Sequence, residues 1–490
     1  MHLQEIYQKN GWRGLRNLIN IFFLIVNKVI IIYVLLLCST YLILFILAFM
    51  RLKREKGLHQ IEQYKRLKES AFTAPISILV PAYNEEVGVI NTILSLVTGS
   101  GRLDYPEFEV IVINDGSKDS TLQKTIDRFE MKVVKNKVFH KHKGIETKPI
   151  KNVYQSAIYP FVFLIDKDNG GKADALNAGI NFSKYPYFAS IDGDTILDSD
   201  SFIKIMKPII ENTDDEILAT GGNVLIANGS KTSLGKVNEM LLSKNPLVVM
   251  QVIEYMRAFL IGRIGLSNKN LLLIISGAFG VFKKSRVIQV GGYLTNTIGE
   301  DMELVVRLHR KNIEENWGAK IEYVADPVCY TEAPDSFKYL KTQRVRWHRG
   351  LFESLWAHRK MIFNKNYRSI GFIAMPYFFF VEFLGPIIEF FGYASLIINI
   401  TLHNINIMYS IALLILMIIY GSFFSVSAVL LEEWRLEKYK KISELNRLFF
   451  YSLTEALWYR PILTYWRVVA TISIFLGQKK GWGEMKRKGV

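Results

Sequence analysis

Apolar and polar positions divide this chain into three unequal parts. After a mixed stretch carrying Lys9, Arg13 and Arg16, an apolar run broken only by Asn27 and Lys28 continues to Met50. Its portion from Val29 to Met50 is long enough to cross ~30 Å of hydrocarbon as a helix. A secretory leader fits less well. The apolar core is too long, and Arg51, Lys53, Arg54 and Lys56 stand where small residues would precede a cleavage site. Such a basic cluster places the following residues on the cytosolic side. Short apolar runs then alternate with helical patterns over residues 75–335. The runs are Ile76–Val80, Glu109–Ile113, Phe161–Ile165, Tyr187–Ile191, Ile217–Ile226 and Ile274–Phe282. Near-continuous apolar strands of this length predict an α/β domain whose mostly parallel sheet is covered on both faces. From Gly371 the chain turns apolar again, and segments 371–400 and 406–431 can each span, with Pro376 and Pro386 bending the entry to the first. Segment 448–477 carries Glu455, Arg460, Pro461 and Arg467, and charges at mid-membrane are costly. Two interfacial or re-entrant helices are therefore expected there, with the basic C-terminal tail (Lys479, Lys480, Lys486, Arg487, Lys488) in the cytosol. A true span whose charges line a channel is the alternative. The expected units are 1–56, 57–350 and 351–490.

Composition agrees with this division. Half of the 490 residues are hydrophobic, yet 22% are charged, which suits a soluble domain joined to membrane segments. The net charge of +16 could serve nucleic acid, but the aromatic residues sit mainly in apolar runs and not between basic ones, so no nucleic acid is expected. Cys38 lies in an apolar run and Cys329 in the soluble part, so no disulfide is expected, which suits a reducing compartment.

Sheets of this kind carry ligand groups on the loops after strand C-terminal ends. Three of the runs end in such loops. In Asp192-Gly193-Asp194-Thr195, two carboxylates one residue apart can hold a divalent cation that bridges a nucleotide diphosphate, although Asp-Gly-Asp alone is more often a plain turn. In Pro81-Ala82-Tyr83-Asn84-Glu85-Glu86, Asn84 and Glu85 can hydrogen-bond a base or ribose, or Asn84 can simply cap a helix. In Asn114-Asp115-Gly116-Ser117, Asp115 can do the same, or form a turn. Gly170-Gly171-Lys172-Ala173-Asp174-Ala175-Leu176-Asn177 reads as a phosphate-contacting turn at a helix start, not as a Walker loop, since no Ser or Thr follows the Gly-Lys. Gly299-Glu300-Asp301 opens a helix, where an acid is ordinary but can also be aimed into a cleft as a general base. In Gln343-Arg344-Val345-Arg346-Trp347, helical spacing puts Gln343, Arg346 and Trp347 on one face, suited to a diphosphate and a sugar ring. An interfacial amphipathic helix would look alike. Two segments stand apart. Residues 132–151 hold seven Lys and two His and read as solvated, or as a basic loop near anionic lipid. Residues 247–282 hold an amphipathic helix (Val252, Tyr255, Phe259), then Arg263 and an apolar strand, and read equally as core or as a helix under the membrane that guides a substrate.

Six motifs in this order over residues 81–347 resemble the membrane-bound family 2 glycosyltransferases, namely the cellulose, hyaluronan and poly-N-acetylglucosamine synthases, with the last group nearest in size and layout. The resemblance implies a GT-A-type domain and an inverting transfer from a UDP-sugar, UDP-GlcNAc or UDP-glucose, to a growing cell-surface polysaccharide with coupled translocation. It implies that Ala82, Asn84, Glu85 and Asp115 hold uridine, Lys172 approaches the diphosphate, and Asp192 contacts the nucleotide. It further implies that Asp194 binds Mg2+ or Mn2+, that Asp301, beside Glu300, is the base, and that Gln343, Arg346 and Trp347 hold diphosphate and acceptor. Single-sugar transfer to a polyprenyl-phosphate or other lipid is the alternative, although such enzymes are not expected to carry QxxRW. The expected partners are the UDP-sugar, a glycan or lipid-linked acceptor, the bilayer and a small accessory membrane protein. The expected location is the plasma membrane, multi-pass, with the catalytic domain cytosolic.

Overall fold

The computed structural model describes residues 2–56, 64, 66–67, 69, 73–97, 103–135, 140, 142–212, 214–233, 235–401 and 407–478. The strands are β1 (Ile76–Ala82), β2 (Phe108–Asp115), β3 (Met131–Val133), β4 (Ile150–Ser156), β5 (Val162–Lys167), β6 (Tyr187–Ile191), β7 (Ile196–Leu197), β8 (Ile217–Ile226), β9 (Lys231–Ser233), β10 (Lys236–Glu239), β11 (Phe279–Lys283) and β12 (Lys320–Thr331). Ten of them form one sheet in the order β3-β4-β5-β2-β1-β6-β11-β8-β12-β7. Strands β5, β2, β1 and β6 are parallel neighbours, as are β8 and β12. Because β11 is antiparallel to both β6 and β8, the two flips cancel and β8 regains the direction of β6. The same cancellation through β4 aligns β3 with β5. The sheet is thus mostly parallel, and every residue of β2, β5 and β8 is buried, as strands covered on both faces require.

Two expectations about strands need correction. The apolar run 274–282 is strand only from Phe279; before it, Leu272, Leu273 and Ile275 are buried in irregular chain. Apolar character marks burial, and a turn at Gly277-Ala278 keeps the earlier residues off the ladder. The long β12 was not foreseen, since Asp326-Pro327 reads as a break. The strand survives the proline by shifting register around it.

Among the described residues, three helices are long and apolar enough to cross a membrane: Leu24–Glu55, Ile370–Ile398 and Leu414–Leu436. The three apolar stretches of the sequence fall on them. The first belongs to one helix running from His2 to Lys56. Between Ile370 and Phe383 the second is wound as two π-helical pieces separated at Met375-Pro376, where the proline removes a donor. The membrane helices are tied to the sheet domain. Arg51 bonds Glu322 and the carbonyl of Tyr323, and Arg435 bonds Glu55 and Asp326.

Segment 448–477 forms parts of two helices, Ile442–Thr454 and Tyr459–Phe475. The second has 17 residues, fewer than the ~20 that span a bilayer. The charges that made this stretch look unsuited to the membrane point inward. Glu455 pairs with Arg257, Arg460 with Glu389, and Arg467 approaches Glu254. The C-terminal lysines and part of the Lys-rich segment (136–139 and 141) lie outside the described residues. The rest of that segment packs through Ile145, whose carbonyl accepts from Asn181. Both described cysteines are free thiols.

Candidate active site

The loops after β1, β2, β5 and β6 converge at one edge of the sheet, as the parallel direction dictates. The first two are zipped together. Asn84 adopts a left-handed backbone (φ 54°), and its Oδ1 accepts from Lys118 N, while Ser117 Oγ and Thr121 Oγ1 accept from the amides of Asn84 and Glu85. Asn84 therefore joins two loops and caps no helix, since the next helix begins at Val89. Ala82 is buried at the end of β1. The end of the first loop and the helix after it also meet the Asp192-Gly193-Asp194 turn. Thr92 Oγ1 donates to Gly193 O, and a Cβ on Gly88 would lie 3.0 Å from that oxygen.

Asp115 is only 3% exposed, and its carboxylate organises the glycine turn. Its Oδ1 accepts from Lys167 Nζ at 2.5 Å and Gly170 N at 3.0 Å, and its Oδ2 accepts from Gly171 N at 2.7 Å. Lys167 is fully buried and also pairs with Asp174 in the first turn of the following helix. Gly116 (φ +67°) must be glycine, because a Cβ would stand 2.8 Å from Asn169 N. This lattice fixes the start of the helix Lys172–Phe182 and aims Lys172 across the cleft.

Lys172 Nζ donates to Asp192 Oδ1 at 2.5 Å and to Gly277 O at 3.3 Å. On the other side of Gly277, its amide donates to Asp301 Oδ2 at 3.2 Å, and Met302 N donates to Asp301 Oδ1 at 2.8 Å. Asp301 is thus held as an acceptor at a helix N-terminus, where the dipole favours an anion. Glu300 behind it is 5% exposed, and burial pushes its carboxyl up to about 7, with the nearby Lys172 opposing the shift.

Lys172, Asp192, Asp194, Asp301, Arg346 and Trp347 line one cleft of about 460 Å³. Gln343 lines it too, 8% exposed, with Oε1 buried and without a hydrogen-bond partner among the described residues. Trp347 presents a 43% exposed ring, backed by Tyr255 at 6.4 Å between centroids. The cleft wall thus holds eight of the assigned residues (these seven and Glu300), while Ala82 and Asp115 end β1 and β2 and Asn84 and Glu85 lie in the loop after β1.

Among the described residues no group of three or more His, Cys, Asp and Glu is gathered to hold a metal alone. The donors that Asp192 and Asp194 offer are hard carboxylate oxygens, and Asp192 already carries a cationic ammonium. Such a set fits a divalent ion shared with a nucleotide diphosphate, which keeps few protein ligands.

The profile of the family described as "Glycosyltransferase like family 2" matches residues 74–350, more than half of the chain. The chain belongs to this family. Poly-β-1,6-N-acetyl-D-glucosamine synthase from Staphylococcus epidermidis is 33% identical over 282 residues, covering 57% of this chain and 55% of that one. Its counterpart from Staphylococcus aureus is 32% identical over 284 residues, with 57% and 55% covered. The chain spans about half the length of the curated relatives it matches. A solved mannosyltransferase from Pyrobaculum calidifontis, in complex with GDP-Man and Mn2+, superposes with a TM-score of 0.47 at 15% identity, covering 90% of this chain and 100% of that one.

In this family 2 glycosyltransferase, four residues around the site escaped the sequence reading. Gly277 separates Lys172 from Asp301, and a Cβ there would meet Lys172 Nζ at 2.7 Å. Lys167 was hidden because it lies outside the motifs, 52 residues from its partner Asp115. Arg344 lies within the last motif and lines the cleft as well, but it was given no role. It is 1% exposed, bonds Glu254 at 2.7 Å and stacks 4.3 Å from the Trp347 ring, so it sets the tryptophan's plane. Glu254, its partner, also accepts from Tyr459 OH at 2.7 Å. Only a three-dimensional pairing reveals these last two.

The cleft continues into a chamber of about 110 Å³ among the membrane helices, and the two share Tyr41, Glu254, Arg257, Glu382 and Arg467. Its wall is polar. Arg257 Nη1 bonds both oxygens of Glu455 at 2.8 Å, Arg460 bonds Glu389 at 2.8 Å, and Glu382 accepts from Tyr377 at 2.8 Å.

Proposed function

We propose that this chain is an inverting membrane glycosyltransferase that adds sugars from a UDP-sugar to a growing exopolysaccharide and passes the polymer into the membrane chamber. The observation that carries this reading is the single cleft that joins Lys172, Asp192, Asp194, Asp301 and Trp347 and shares Tyr41, Glu254, Arg257, Glu382 and Arg467 with a chamber among the membrane helices. A polymer of N-acetylglucosamine is the product named for the relatives, which favours UDP-N-acetylglucosamine as donor over UDP-glucose.

In this mechanism the loops of Ala82, Asn84, Glu85 and Asp115 form the uridine pocket. Asp115 acts there by fixing the amides of Gly170 and Gly171. Asp194, with Asp192 beside it, would hold Mg2+ or Mn2+, whose chemistry there is charge neutralisation of the diphosphate. Lys172 and Arg346 neutralise charge that develops on the leaving group. Trp347 stacks the acceptor's terminal sugar, and Asp301 takes the proton of its attacking hydroxyl. One displacement at the anomeric carbon inverts its configuration, and no covalent enzyme intermediate is needed. Short helices at 442–475, with Glu455, Arg460 and Arg467 turned to the chamber, fit a re-entrant lining, and the basic flanks of the first span fit a cytosolic catalytic domain.

Membranes containing the protein, supplied with radiolabelled UDP-sugars one at a time with Mg2+ or Mn2+, test this directly. The expected result is label in a high-molecular-weight glycan from UDP-N-acetylglucosamine. Label found only in a single-sugar lipid would overturn the polymer reading.

A further inference from the structure

Arg263 belongs to none of the six motifs, yet it lines the same cleft as their residues. It ends the π-helical stretch Arg257–Arg263, which interrupts the helices Pro246–Met256 and Ile264–Ser267. Such π segments recur at functional sites because they re-aim side chains that an α-helix would turn away.

The other guanidinium of this stretch, Arg257, is paired with Glu455 and Ser425. Arg263 forms no ion pair among the described residues, and its Nη1 is buried without a hydrogen-bond partner. Its guanidinium carbon lies 4.0 Å from the centroid of the Phe259 ring. Stacking of this kind fixes the plane of the group and leaves its N–H edge to bond elsewhere. A guanidinium has donors only, so it calls for an oxygen. A buried donor left unmet is unfavourable, and burial accordingly pulls this arginine's pKa down.

The neighbours of Arg263 say which end of the cleft that oxygen occupies. Its stacking partner Phe259 meets the Tyr255 ring edge-on at 5.3 Å between centroids, and Tyr255 in turn backs Trp347. Lys172 instead bonds Asp192 and the carbonyl of Gly277, whose amide bonds Asp301. Arg263, Lys172, Asp301 and Trp347 all line the one cleft. Lys172 is thus tied to the Asp-Gly-Asp acids, and Arg263 belongs to the aromatic row that ends at Trp347.

We infer that Arg263 binds the acceptor, donating to a hydroxyl or amide oxygen of the terminal sugar while that sugar stacks on Trp347 and faces Asp301. The inference rests on the transferase reading above and adds a residue to its acceptor subsite. Arg263 is a binding residue in this role. It holds the attacking sugar in register with the base and makes no contact with the donor's diphosphate.

The test uses the full-length protein in membranes or detergent, with Arg263→Gln and Arg263→Lys. Three quantities are read: the Kd for UDP-N-acetylglucosamine, kcat/KM for an added N-acetylglucosamine oligomer, and the slow release of UDP to water without acceptor. Loss of a hydrogen bond from a charged donor should lower kcat/KM for the oligomer by ~10-fold or more. Donor Kd and UDP release to water should stay within about twofold of wild type. A parallel loss of donor affinity would overturn the inference and assign Arg263 to the diphosphate, and three unchanged quantities would overturn it as well. If Arg263→Gln does not fold, Arg263→Lys decides by the same split, since it keeps the charge but not the planar fork. Failure of the wild type to transfer any sugar is a separate result, which rejects the transferase reading itself.

Discussion

Lys172 Nζ lies 2.5 Å from Asp192 Oδ1, so the cation of the glycine turn and the first acid of Asp-Gly-Asp form one charge pair across the cleft. An ammonium on this carboxylate marks the place where positive charge is wanted, and a nucleotide diphosphate would bring both a claim on Lys172 and a need for a hard cation. Transfer should therefore vanish in EDTA and return with Mg2+ or Mn2+. Asp194→Ala should reproduce the chelated state, read as loss of transfer together with weakened UDP-sugar affinity. Full activity in chelator would reject this assignment.

Asp301→Asn should lower transfer by ~10²–10⁴-fold, since the amide keeps the shape but not the basicity. UDP affinity should hardly change, because the Asp301 oxygens are bonded to the amides of Gly277 and Met302 and not to the nucleotide loops. The two measurements are turnover and UDP binding. Retention of half of wild-type turnover would rule out the base.

Lys167→Met should leave Asp115 and Asp174 facing each other without their shared cation. Removing one partner of a buried ion network costs ~3–5 kcal/mol. Thermal denaturation should register that loss. Adding Asp174→Asn should recover part of it, because one of the two uncompensated charges is then gone. UDP binding should weaken in the single variant, as the Gly170-Gly171 turn loses its anchor.

Arg460→Leu should be strongly destabilising on its own, because it strands Glu389 among membrane helices. The pair Arg460→Leu with Glu389→Leu should return close to wild-type stability, as well-packed apolar replacements of buried pairs often do. If the chamber conducts polymer, the double variant should also make shorter chains at an unchanged initial rate. Melting in detergent and gel analysis of product length separate the two effects.

His348 is buried with Nε2 2.8 Å from Thr471 Oγ1, and burial, helped by Arg467, lowers its imidazole to about 3. The unfolded chain binds this proton below ~6.5 while the folded chain does not. Stability should therefore fall as pH drops below that value, and one such group contributes up to about 2 kcal/mol between pH 6.5 and 5. His348→Gln, which keeps a hydrogen-bonding side chain, should flatten the decline in melting temperature over this range. An identical slope in the variant would show that His348 is not its source.

The sequence by itself determined the parts whose signal is local. Ile78-Leu79-Val80 and Val110–Ile113 are legible as buried strands because every side chain in them is apolar. The three long apolar stretches are legible because a bilayer demands length and composition, not partners. The motif loops are legible because turns and helix starts need Gly, Asp and Asn within a few residues of each other. What only the tertiary structure decided is where charges end. Glu455, Arg460 and Arg467 read as obstacles to burial, yet each meets a partner from a distant helix, and no local pattern encodes such a meeting. Asp115 was legible as a candidate ligand residue, but its bonds to the Gly170-Gly171 turn and to Lys167 were not, because Lys167 lies 52 residues further along the chain. Arg263 was legible as a charge before an apolar run. Its place on the wall of the cleft that holds Asp301 follows from the way a π-helical stretch and the sheet pack together, and the energetics of that packing depend on long-range contacts that spacing in the sequence does not carry.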